Sequence, residues 1–165
     1  MRFGSIIGWA ALAACVAGPA LAAGSAEVRY QQPERFVDAG DTPRERDANL
    51  RLLADQLQSL AAQNLPAGQS LQVELLDVDL AGYVRHSSRG DLRVVRDNHD
   101  SARIWLRYTL VSGGQTLRSG DAALSDLASR RSAGLDTARG PLGREKTLLA
   151  DWFTKEFGTA RAATN

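Results

Sequence analysis

The chain has 165 residues, with 20 lysines and arginines against 19 aspartates and glutamates and a single cysteine. That even balance argues against a nucleic-acid binder, which carries a basic surplus to displace phosphate counterions. One cysteine excludes an internal disulfide, cysteine-ligated zinc and, because Cys15 lies in the leader, cysteine catalysis in the folded domain.

Arg2 is the only charge before Glu27, Phe3 to Gly18 is almost wholly apolar, and Ala20-Leu21-Ala22 follows the break at Pro19. This is the form of a secretory signal cleaved after Ala22. The apolar run of about 16 residues falls short of the roughly 20 that cross a bilayer. Residues 1–22 are thus expected to be a signal peptide and 23–165 a single domain, ordered over about 27–158. Leu12-Ala13-Ala14-Cys15 also has the form of a lipobox, in which the cysteine is diacylated; each acyl methylene buried in a membrane contributes about 0.8 kcal/mol. A periplasmic or secreted protein is expected, with an outer-membrane lipoprotein anchored at Cys15 as the alternative, and no transmembrane segment in the mature chain.

Val28 and Tyr30 alternate with Glu27, Arg29 and Gln31, which predicts a short half-buried strand ending before Pro33. Thr42, Pro43 and Glu45 then form a capping box opening a helix, and Leu50, Leu53, Leu57 and Leu60 give it one apolar stripe. Asn64-Leu65-Pro66-Ala67-Gly68 stops it. Leu71, Val73 and Leu75 lie on one strand face, after which Val78 and Leu80 carry the apolar parity. That one-residue shift predicts a bulge near Leu75–Asp77, with a turn at Gly82.

Leu92, Val94 and Val95 suggest one short edge strand inside an otherwise polar stretch. Arg103 to Val111 alternates best, with Ile104, Leu106, Tyr108 and Leu110 on the buried side, each contributing about 1.5–3 kcal/mol before entropic losses. Gly113-Gly114 marks a hairpin returning through Leu124, and residues 128–140 read as a loop. A last helix from near Pro141 carries Leu149, Trp152, Phe153 and Phe157 and stops at Gly158. The order β-α-β-(β)-β-β-α implies an α+β two-layer sandwich. Its mostly antiparallel sheet of four to five strands would carry both amphipathic helices on one face. The other face, with Arg29, Glu74, Arg103, Trp105 and Arg107, would be wet or open to a partner.

The sequence holds no Gly-x-Ser-x-Gly elbow and no phosphate-binding glycine loop. His86 and His99, with Asp91, Asp97 and Asp100 nearby, lack the i, i+4 spacing that fixes two metal ligands on one helix face, so neither a metal nor any other cofactor is expected. Asp77 and Asp79 are the remaining candidates. On an extended chain they project to one side about 7 Å apart, in a place where aspartate is disfavoured. They are read either as ligand-binding residues together with Arg103 and Arg107, or as carboxylates holding a bend and pairing with those arginines.

Leu65-Pro66-x-Gly68-Gln69-x-Leu71 followed by Asp77-Val78-Asp79-Leu80-Ala81-Gly82 resembles domain-of-unknown-function family 3016. Pro33-Glu34-Arg35-Phe36-x-Asp38, Ala102-Arg103-Ile104 and the Glu145–Phe153 segment extend the resemblance from about Val28 to Phe157. It implies a small exported protein of a Gram-negative bacterium and brings no activity, cofactor or catalytic residue. Three functions are weighed. The first is a non-enzymatic envelope domain binding an envelope protein or small ligand through the exposed sheet face or the acidic segment. The others are a hydrolase or metal-dependent enzyme centred on Asp77 and Asp79, and a lipid-anchored accessory subunit of an envelope assembly.

Overall fold

The computed structural model describes residues 23–88, 92–95, 100–126 and 141–158. Residues 1–22, expected to be the leader and including Cys15, together with His99 and the stretch 128–140, therefore lie outside the described residues. Among those described, no helix is long and apolar enough to cross a membrane.

Strand β1 (Ser25–Tyr30) is followed by a 3-10 turn (Pro33–Arg35), helix α1 (Pro43–Asn64) and strand β2 (Gln69–Asp79). β1 and β2 pair in parallel, Val28 against Val73, so α1 is the crossover that parallel neighbours require. Strands β3 (Tyr83–Arg85) and β4 (Leu92–Val94) form a two-stranded ribbon of their own. The residues expected to make an edge strand thus pair with Tyr83–Arg85 instead of joining the main sheet. Strands β5 (Arg103–Ser112) and β6 (Gln115–Ser125) and helix α2 (Gly143–Phe157) complete the chain.

The main sheet runs β1-β2-β5-β6, with β5 antiparallel to both neighbours. It is a mixed sheet in an α+β fold. The β5–β6 hairpin turns on Gly113 and Gly114, whose φ values of 56° and 80° are the left-handed pair that a two-residue hairpin needs.

Among the described residues, the larger of two apolar clusters joins the layers. Leu50, Leu53 and Leu57 of α1 and Leu149, Trp152, Phe153 and Phe157 of α2 cluster with Leu71, Val73 and Leu75 of β2 and Ile104, Leu106, Tyr108 and Leu110 of β5. The α2 aromatics meet edge-on, with Trp152 and Phe157 centroids 5.7 Å apart and Tyr108 within 5.4 Å of Trp152, a geometry that adds to simple burial. The start of α1 follows its sequence signal with one change. Thr42 Oγ1 accepts from Glu45 N at 3.2 Å, but the Glu45 carboxylate accepts from Asp41 N, one residue earlier than a standard capping box would place it.

Candidate functional site

The acidic segment owes its geometry to the shift in β2. Leu75 faces Leu106 and Asp77 faces Trp105, which leaves Leu76 as the extra residue of a bulge. Beyond it, Asp77 and Asp79 stand on the helix-free face, opposite Trp105 and Arg103, while Val78 and Leu80 stay in the core. The predicted shift is therefore real, and it is what turns both aspartates away from the helices.

Asp77 Oδ1 accepts from the backbone N–H groups of Val37 and Val78, both at 2.9 Å. Asp38 extends this seam: its N–H donates to Val78 O and its carbonyl accepts from Leu80 N, a single parallel bridge against Asp79. The Asp38 carboxylate receives both guanidinium arms of Arg93, at 2.9 and 3.0 Å, and the Gly40 N–H at 3.0 Å. Arg93 thereby clamps the β3–β4 ribbon onto the end of β2. Gly82 makes that approach possible, with φ of 89° and a position where any Cβ would lie 2.3 Å from Val94 O.

Behind the segment, Glu145 in the first turn of α2 is only 3% exposed and accepts from Ala81 N at 2.8 Å. Burial holds its carboxyl above the ordinary glutamate range, against the lowering effect of the backbone N–H groups and Arg93. Asp79 is also raised, chiefly by partial burial and then by Asp38 and Asp77, with Arg103 and Arg93 opposing.

The four residues singled out in the sequence share the open face without converging on one point. Arg103 stands opposite Asp79 and acts on it electrostatically. Arg107 pairs elsewhere, with Asp121 at 2.8 and 3.2 Å and Glu74 at 3.8 Å, making a charged rung across β2, β5 and β6. Between them Trp105 is 42% exposed and lines a shallow groove of about 490 Å³ with Leu76, Asp77, Asp121 and Ala123. His86 Nε2 lies 3.8 Å from Asp41 Oδ2, and among the described residues no three His, Cys, Asp or Glu side chains form a group able to hold a metal ion.

Asp38, Arg93 and Glu145 were not legible as parts of this knot. Glu145 left a trace, because it falls on the Leu148, Leu149, Trp152 stripe of its helix, where a charge is out of place.

The hydrogen bonds predict the outcome of substitution. Asp77→Ala is expected to lower stability by about 1–2 kcal/mol, since two N–H groups lose their acceptor. Asp77→Asn, which retains an Oδ1, should lose less. Urea melts with and without manganese and zinc measure both; a metal-dependent difference between parent and variants would contradict a bend-holding role.

Residues 24–155 match the profile of DUF3016, described as a protein of unknown function. No curated protein matches the chain. Among solved structures, the chain is similar to a Caulobacter crescentus CB15 protein provisionally described as a lipoprotein. Identity is 14% and the TM-score 0.39, over 85% of this chain and 92% of the other.

Proposed function

The chain belongs to the DUF3016 family of proteins of unknown function, and from that premise we propose that it is an exported, non-enzymatic binding domain of the cell envelope. The leader, with its cleavage site after Ala22, supports the location. N-terminal sequencing and intact mass of the exported protein are expected to show Ala23 first. A diacylated Cys15 at the N-terminus would instead make it a lipid-anchored subunit.

The observation that carries the binding role is the open sheet face. A half-exposed Trp105 sits at its centre, ringed by Asp77, Arg103, Arg107 and Asp121. An exposed aromatic with a polar rim is the usual anatomy of a recognition surface. The mixed signs of the rim favour a polypeptide or zwitterionic ligand over a purely anionic one. Asp77 supports this reading over an enzyme centred on Asp77 and Asp79, because one of its oxygens is committed to two backbone N–H groups.

A photo-crosslinking amino acid placed at Trp105 in the exporting cell is expected to give a discrete adduct. The same group at Gln58, on the solvent side of α1, should give none. Equal patterns at the two positions would sink the assignment of this face.

A further inference from the structure

β6 is an outer strand of the sheet among the described residues. Asp126 N donates inward to Ala102 O, so alternation turns the backbone N–H and C=O groups of Asp121 and Ala123 toward the outside. Gln115–Ser125 contains neither proline nor lysine, the residues that most often block an edge. Along its second half runs a groove of about 370 Å³, walled on the other side by Leu148, Asp151, Trp152 and Lys155 of α2.

α2 lies antiparallel to β6. Leu148 shares the groove with Leu124 and belongs to the small apolar cluster on which Leu124 packs, and Glu156 accepts from the hydroxyl of Tyr108, whose partner in β6 is Gly120. The midpoint of Asp151 and Lys155 is therefore level with Ala122. Both side chains are exposed and one helical turn apart.

We propose that a second copy of this chain occupies this groove, the two β6 strands pairing antiparallel about a two-fold axis at Ala122. Such an axis sets Asp121 against Ala123 of the second copy, which are the residues whose backbone groups point outward. It also sets Asp151 of each α2 against Lys155 of the other, so the charge pattern complements itself. Gly120, Ala122 and Ala123 put little bulk in the way of close approach. The contact is isologous and closes at two copies, giving one continuous eight-stranded sheet.

Sedimentation equilibrium of the exported protein at low salt tests this. The parent is expected to be a dimer. Ala123→Pro removes an outward N–H and leaves the β5 ladder intact, so it should weaken association about tenfold or more. Asp151→Lys, on an exposed helix position, should do the same, while Asp151→Lys with Lys155→Asp should restore parental association to within about threefold. Circular dichroism melts of each variant establish that it is folded. A parent that stays monomeric at high concentration overturns the proposal and leaves the groove to another extended polypeptide. A dimer indifferent to these changes, or one that the double exchange fails to restore, overturns it too.

Discussion

Leu106→Ala is expected to lower the unfolding free energy by about 2–5 kcal/mol. Leu106 is fully buried in the central strand β5, between Leu75 of β2 and Ala122 of β6. Helices cover it on one side and strands flank it on both, so the surroundings cannot readily collapse into the space a deleted isobutyl group leaves. The loss therefore adds a cavity to the lost transfer energy. Leu117→Ala on the same sheet is the matched control: its side chain is 53% exposed, and the change should stay within about 0.5 kcal/mol. Urea melts of the three proteins decide the matter. A Leu106→Ala variant that melts like the parent would mean that the buried face of β5 has been misassigned.

The second large effect concerns Glu145, where two substitutions should act in opposite directions. Glu145→Ala leaves the buried Ala81 N–H without an acceptor and should cost about 1–3 kcal/mol. Glu145→Gln keeps a carbonyl oxygen at that position and removes a charge that burial disfavours. Because the folded carboxyl is held above its unfolded value near 4.5, the folded state binds the proton more tightly. The stability Glu145 contributes is therefore full below that unfolded value and falls as pH rises toward the folded one. The glutamine variant lacks this loss. Its advantage over the parent should be small in acid, grow as pH rises above the ordinary glutamate range, and then level off. Thermal melts across a pH series measure it. An advantage that shrinks with rising pH would show that the charged carboxylate is favoured in the fold.

The elements that declared themselves in the sequence are those whose signals are local. Thr42 and Pro43 open α1, Gly113-Gly114 turns the hairpin, and the parity shift after Leu75 marks the bulge, because each depends on backbone geometry within a few residues. The parallel pairing of β1 with β2 could not be read that way. It is fixed by α1 crossing between them, and alternation within β1 is the same for either direction. The candidate site divides on the same line. Asp77 and Asp79 stood out because aspartate is unusual at a strand end. Asp38 and Arg93 are 55 residues apart and look like ordinary surface charges until the ribbon docks. Arg107 pairs away from Asp77 and Asp79, most closely with Asp121 of β6 and at longer range with Glu74, because its cross-strand neighbours are set by the register of β5.

The position of β1 limits how the two maturation routes would present the domain. β1 begins at Ser25, and Gly24 is already wedged beside Leu65, where an added Cβ would lie 2.4 Å from that side chain. Cleavage after Ala22 leaves hardly any free leash. Acylation at Cys15 would leave a leash reaching at most about 30 Å even fully stretched, comparable to the width of a domain this size. The leash would also leave from the opposite margin of the sheet to β6, three strands away. A lipidated form would thus hold the domain close against the bilayer by one flank while its far flank stayed clear of the lipid.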